Sequence, residues 1–386
     1  FSYLWVRALA QGLAIRREMR FGWAQVGDRL EERFTLINRA RIPALWVEVI
    51  GQTNMPDYWA NQVRMVEPRA ETHWAIRGLC TRRGLYTLGP TTLETNDPFG
   101  IFTLTLHDPV ATTLMVMPPI LPLPFIQVAP GGRAGEGTPR LHALDPTVSA
   151  SNVREYAPGD SLRWIHWPTS ARHNEYFVRV FEGAPAGDWW VILDLERGVQ
   201  VGENQNATDE HGIILAASLV DLGMRSGHAV GLSAHGKDQL IWHRPAMSDE
   251  AKGSILRSLA LVEPGEISLA KLLAYARPQI GQNTSLIVIT PAIGGAWLAA
   301  LLATRRTGAI PSVLLFDPLT FGGQQTAENL RGQLTSLGIR HQLIARELLD
   351  YRPSQNDQSA KTHWRLTAPD PQQNQKPVRV LHPGKT

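Results

Sequence analysis

A chain of 386 residues exceeds what a single hydrophobic core usually organises, roughly 250–300 residues, so at least one internal domain boundary is expected. Hydrophobic residues at 43% and charged residues at 19% exclude a largely disordered chain. The near balance of 38 basic and 35 acidic residues, net +3, gives no footprint of a nucleic-acid partner, and none is expected.

The chain opens on Phe1-Ser2-Tyr3-Leu4-Trp5-Val6, followed by Arg7, Arg16, Arg17 and Arg20. Aromatic residues giving way to Arg are the pattern of a helix leaving a bilayer on its cytoplasmic side. Residues 1–24 are therefore expected to be a membrane-proximal segment below upstream helices, or else an ordinary amphipathic helix. No apolar run of 18 residues occurs that would itself span a bilayer.

Residues 25–120 read as an antiparallel β-sandwich-like domain. Runs of period two fall at Arg29–Asn38, Leu45–Ile50, Glu71–Ile76, Gly84–Leu88 and Thr103–Thr105, with turn signals between them. Asn96-Asp97-Pro98-Phe99-Gly100 is the clearest turn, since Asn and Asp close Asx turns and Pro presets the dihedral. Cys80, the single cysteine, has no disulfide partner and reads as a buried strand thiol. From Met117 to about Thr147 the chain is rich in Pro and Gly, including Pro118-Pro119 and Pro130-Gly131-Gly132, and residues 121–183 read as a Pro/Gly connector leading into an Arg- and Trp-rich segment.

The rhythm then changes. Trp189-Trp190-Val191-Ile192-Leu193 is an unbroken apolar run ending in Asp194, as expected of a strand buried on both faces. Helices are predicted at 208–225, 249–261, 268–276, 296–306 and 326–337. Strands are predicted at 229–234, 285–290, 312–316 and 340–344. Alternation of this kind implies right-handed crossovers and a doubly wound, parallel α/β sheet over residues 184–347. Residues 348–386, rich in Gln, Pro and Asn, read as a flexible tail.

The densest segment is R-E-Y-A-P-G-D-S-L-R-W-I-H-W from Arg154 to Trp167, continuing through Ser170-Ala171-Arg172. Arg154, Glu155, Tyr156, Gly159, Asp160, Arg163, Trp167, Ala171 and Arg172 are its marked positions. Charged residues alternate with aromatic ones, which suits either an Arg-rich docking surface or an ion-paired clasp between domains. The clasp is favoured, because Arg held in bidentate pairs is a common structural solution at interfaces. Together with R-R-G-L-Y-T-L-G-P and N-D-P-F-G-I-F at Arg82–Phe102 and W-W-V-I-L-D at Trp189–Asp194, the segment resembles the signature of the domain of unknown function 58 family of bacteria and archaea. The resemblance implies a β domain joined to a von Willebrand factor A-like domain, anchored in the cell membrane with the soluble part cytoplasmic. It also implies partnership with a MoxR-type AAA+ ATPase in assembling or activating client proteins.

In von Willebrand factor A domains the first strand ends in D-x-S-x-S, whose oxygens suit Mg²⁺. Here the matching stretch is Asp194-Leu195-Glu196-Arg197-Gly198, and Thr290-Pro291 stands where Thr-Asp is wanted. Asp194, Glu196 and Thr290 are the candidate metal ligands of a degenerate site, and no functional cofactor is expected. His166 and His173 have no Cys or carboxylate cluster about them, and no phosphate loop, nucleophile elbow or H-E-x-x-H helix occurs. Gly294-Gly295 reads as a tight turn. Two functions follow: a non-catalytic, membrane-anchored interaction protein, or a divalent-metal-dependent hydrolase built on Asp194 and Glu196. The missing hydroxyls and distal carboxylate favour the first.

Overall fold

The structure, a computed structural model, describes residues 1–124, 126, 128, 150–155, 166–173, 175–181, 187–282, 284–349 and 378–383. The chain divides into two compact units, one of residues 1–121, 253–262 and 350–386, the other of residues 122–252 and 263–349.

The first unit is β-rich. Helix α1 (Ser2–Gly12) turns Val6, Leu9 and Ala10 inward and leaves Phe1, Tyr3 and Leu4 exposed. It ends at Gly12, where a Cβ would lie 2.5 Å from Ala40 N. The chain continues at once into β1 (Leu13–Met19), so residues 1–24 contribute a helix and a strand to this unit. After β2 (Trp23–Gln25) come β3 (Arg29–Asn38), β4 (Ala44–Thr53), β5 (Gln62–Val66) and β6 (Ala70–Leu79). The last three are β7 (Gly84–Asn96), β8 (Phe102–Asp108) and β9 (Thr112–Met117). One sheet has the order β1-β3-β6, and in the other β8, β7, β4 and β5 are successive neighbours. Leu13 and Leu36 of the first sheet share a buried cluster with Val47, Val49, Leu93, Leu104 and Leu106 of the second, which is sandwich packing.

Strand β7 runs past the stop expected at Leu88. Gly89, at φ +104, and Pro90 bend the strand rather than end it. Gly84–Leu88 pair with β9, while Thr91–Asn96 pair with β4 and β8. The expected turn at 96–100 is built by Asp97, which is buried and accepts from the Phe99 and Phe102 amides at 3.0 and 2.7 Å. Cys80 is fully buried just after β6. Burial, helped by the charge of Asp28, pushes its thiol up to about 12.

The second unit is mixed α/β. Strands β10 (Ala150–Glu155) and β11 (Phe177–Phe181) form an antiparallel pair with helix α2 (Trp167–His173) between them in sequence. The main sheet begins with β12 (Trp189–Leu193), α3 (Thr208–Arg225), β13 (Val230–His235) and β14 (Leu240–Ala246). In sequence, α4 (Asp249–Leu261), whose residues from Gly253 on belong to the first unit, and α5 (Leu269–Ala276) precede β15 (Ser285–Thr290). Then come α6 (Leu298–Arg305), β16 (Ile310–Phe316), α7 (Glu328–Ser336) and β17 (Arg340–Ile344). The sheet order is β14-β13-β12-β15-β16-β17. All neighbours are parallel except the β13–β14 edge pair.

Every residue of β12 is buried, because both faces of the sheet are covered. Trp190, Ile192, Leu286, Val288, Val313 and Leu315 pack with residues of α5, α6 and α7. On the opposite face α3 comes close enough that a Cβ on Gly212 would touch Leu193, and one on Gly223 would strike Trp189. The central, doubly covered strand expected from the apolar run is thus present. Strand β14 escapes the sequence reading because it is a polar edge carrying Arg244 and Pro245. In the expected tail, residues 378–383 form β18 (Val378–Pro383), which pairs antiparallel with β8. A strand there corrects the reading of 348–386 as wholly flexible. No helix among the described residues is long and apolar enough to cross a membrane.

Candidate functional site

Strands β12 and β15 are parallel and in register, Leu193 opposite Ile289, so the next residue of each, Asp194 and Thr290, reach the carboxyl edge together. Counted from β12, the sheet order is third-second-first-fourth-fifth-sixth, and the chain leaves β12 to one side and returns to β15 on the other. This is the topological switch point, where open α/β sheets place their ligand crevices.

Asp194 is 2% exposed. Its Oδ2 accepts from the Thr290 hydroxyl at 2.6 Å and its Oδ1 from the Glu196 amide at 3.1 Å. The Thr290 hydroxyl accepts in turn from the Ala292 amide at 2.9 Å. The Gln200 amide nitrogen donates to the carbonyls of Asp194 and Glu196 at 3.1 and 3.2 Å, and Thr208, at the head of α3, donates to Gln200 Oε1 at 2.8 Å. Burial raises the Asp194 carboxyl to about 6; the Thr290 and Glu196 hydrogen bonds oppose the rise, and the Glu196 charge adds to it. Gln200 and Thr208 were not singled out in the sequence. A Gln seven residues past a strand end carries no pattern, and only the fold of the turn brings its amide to the Asp194 and Glu196 carbonyls.

All three candidate metal ligands therefore lie at one edge, with Glu196 half-buried. They do not fit a Mg²⁺ ion, which needs about six oxygen ligands in near-octahedral array. Both Asp194 oxygens are engaged by protein donors, Gly198 offers no side-chain oxygen, and no group of three or more His, Cys, Asp or Glu able to hold a metal occurs among the described residues. Gly294 and Gly295 form a turn into a short 3-10 helix at Gly295–Trp297.

Of the signature segment, Arg154 and Glu155 lie in β10, opposite Val178 and Phe177. Tyr156, Gly159, Asp160 and Arg163 lie outside the described residues. Trp167, Ala171 and Arg172 sit on α2, exposed. Trp167 is 63% exposed and meets Tyr176 edge-on at 6.4 Å. Among the described side chains of this helix Ser170 is the buried one; its hydroxyl accepts from the Phe177 amide at 2.9 Å, while the His166 amide donates to the Phe177 carbonyl at 2.7 Å. These bonds tie the start of α2 to the strand that follows it.

The sequence profile of the family described as "Protein of unknown function DUF58" matches residues 152–355, more than half of the chain. The chain belongs to the DUF58 family. The matched residues span the signature segment and the whole α/β sheet of this DUF58 chain; the motifs at Arg82–Phe102 lie outside them. A curated relative, the "Uncharacterized protein YeaD" of Bacillus subtilis (strain 168), is 23% identical over 313 residues and covers 75% of each chain. Among solved structures, the CARDB domain of PF1109 from Pyrococcus furiosus is similar over 27% of the DUF58 chain and 94% of its own, at 14% identity and a TM-score of 0.22. A β-glucosidase from Listeria innocua is similar over 27% of the DUF58 chain and 16% of its own, at 11% identity and a TM-score of 0.19. Likenesses this slight decide nothing about its chemistry.

Proposed function

We propose that this DUF58 protein is a non-catalytic interaction protein. Its α/β unit is a degenerate von Willebrand factor A-like domain, and it works with a MoxR-type AAA+ ATPase to assemble or activate client proteins at the cell membrane, the soluble part facing the cytoplasm. The observation that carries the reading is the closure of Asp194. A carboxylate at the switch point of an open sheet is where a ligand ion belongs, yet here its two oxygens hold the Thr290 hydroxyl and the Glu196 amide. Those bonds take one lone pair of each oxygen, and burial of Asp194 at 2% exposure shields the rest from a cation or an attacking water. Such an Asp braces the ends of two strands and leaves the surrounding loops as a recognition surface. The von Willebrand factor A-like assignment is supported by the aspartate at the carboxyl end of the first strand of a doubly wound sheet. The ATPase partnership and the membrane anchor follow from the family resemblance alone.

The test is affinity capture of the full-length protein from its own membranes after mild cross-linking. An AAA+ ATPase recovered in near-stoichiometric amount is the expected result. Its absence, together with a Mn²⁺-dependent ester or phosphoester hydrolysis abolished by Asp194→Ala, would replace this reading with the hydrolase.

A further inference from the structure

The edges of the sheets are protected in different ways. Strand β5 carries Arg64, β14 carries Arg244 and Pro245, and β17 begins with Arg340. Charged residues and proline of this kind discourage pairing with a stray strand. Strand β8, Phe102-Thr103-Leu104-Thr105-Leu106-His107-Asp108, has neither Lys, Arg nor Pro, and Asp108 at its end is its one carboxylate, so Phe102–Leu106 carry no charge. One of its edges pairs with β7 over Thr91–Asn96. The other is covered by β18, in a ladder of six residue pairs from Val378 opposite His107 to Pro383 opposite Phe102.

The covering strand is not a neighbour in sequence. It arrives from beyond Leu349, across residues 350–377, whereas the packing of β8 is local: Leu104 and Leu106 sit in a cluster with Val6, Leu9, Leu36, Val47 and Leu93. Among the described side chains, Leu104 and Leu106 of β8 are seated by residues of the N-terminal 121, and β18 supplies an edge ladder. An edge strand that lacks its own protection and is capped by a distant segment is a strand-accepting surface, of the sort that recognises extended peptides through their backbone.

We propose that the outer edge of β8 is a peptide-recognition site. Val378–Pro383 is its resident, displaceable occupant, and the partner it accepts is an extended segment with the pattern of V-R-V-L-H-P: alternating small apolar residues closed by a proline that ends the ladder. This site belongs to the β-rich unit and stands or falls independently of Asp194. Being part of the same chain, the covering strand competes for the edge intramolecularly, so free peptide must displace it to bind.

The probe is a fluorescein-labelled peptide of residues 376–385, followed by fluorescence anisotropy with the full chain. In Val380→Pro/Leu381→Pro, one of the two lost N–H groups must face β8, because alternate residues of an antiparallel strand donate to the neighbour. This variant should bind the peptide at least about tenfold more tightly than the native chain. Hydrogen exchange of the alternate β8 amides that face β18 should quicken by about tenfold and slow again when peptide is added. A second variant guards against misfolding. Thr105 and Val380 are directly opposed, at a separation that a disulfide can bridge, and Cys80 is buried out of reach. Oxidised Thr105→Cys/Val380→Cys should refuse the peptide, and the same chain after reduction should bind it as the native chain does. Equal affinity of the native and double-proline chains, unchanged β8 exchange, or a native dimer in which the cysteines cross-link between copies would overturn the proposal.

Discussion

Asp194 is held by partners that favour its charge in surroundings that oppose it, and the balance lies with burial, so its carboxyl titrates near 6 rather than near 4. The unfolded chain releases this proton first as pH rises. Between about pH 4 and 6 the native state holds more protons than the unfolded one, and stability falls across that window, by on the order of 2–3 kcal/mol for a shift of about two units. Asp194→Asn keeps the shape without the charge and should flatten that part of the stability–pH curve, measured by urea unfolding from pH 4 to 7. An unchanged slope would mean that Asp194 titrates normally. A second buried charge braces the β-rich unit. The Arg17 and Glu32 side chains, 2% and 0% exposed, form a two-pronged pair at 2.7 and 2.8 Å, and the Tyr58 hydroxyl donates to the same carboxylate. Glu32→Gln leaves the Arg17 guanidinium buried without its counter-charge and should cost about 3–5 kcal/mol in urea unfolding. A loss below 1 kcal/mol would show that water reaches Arg17.

At the scale of elements, close approach decides what a substitution does. Gly223 lies in α3, where alanine would ordinarily gain about 1 kcal/mol in helix propensity. A Cβ there would meet Val230 Cγ2 at 2.6 Å and the Trp189 ring at 2.7 Å, and a β-branched residue and a buried ring cannot swing away. Overpacking costs roughly 1–3 kcal/mol, so Gly223→Ala should lower the melting temperature; a rise would show that α3 stands farther from the sheet. The spans 29–38, 208–225, 249–261, 285–290 and 340–344 agree with β3, α3, α4, β15 and β17 to the residue. In β15 the unbroken apolar run is the imprint of two covered faces, and in α4 the apolar spacing is that of one. Strands β1, β2, β5, β9 and β14 went unread. They are short or edge elements, and pairing with a neighbour holds them where their own pattern is weak. Strand β7 was cut short because Gly-Pro reads locally as a stop, whereas long-range pairing on both sides of the bend makes it one strand.

For the whole molecule, the sequence carries the division into a β-rich unit and an α/β unit, because period two and the strand–helix alternation leave different marks along the chain. It also places Asp194 and Thr290 at strand ends. What it cannot carry is the state of the carboxylate, since that depends on its burial and on the Thr290 hydroxyl and Glu196 amide that reach it, with Gln200 and Thr208 holding the backbone of the turn. The carboxyl edge of the α/β sheet is either a closed brace or an ion site, and the two respond differently to added cation. A ligand that binds only the native state stabilises it by RT ln(1 + [L]/Kd), so the most direct measurement is the melting temperature of the full chain titrated with Mg²⁺ and Mn²⁺ to millimolar concentration. A closed Asp194 predicts a change of less than about 1 °C, the same in Asp194→Ala as in the native chain, because an incomplete oxygen shell gives a Kd far above the concentrations used. A saturable rise of several degrees that Asp194→Ala abolishes would contradict it.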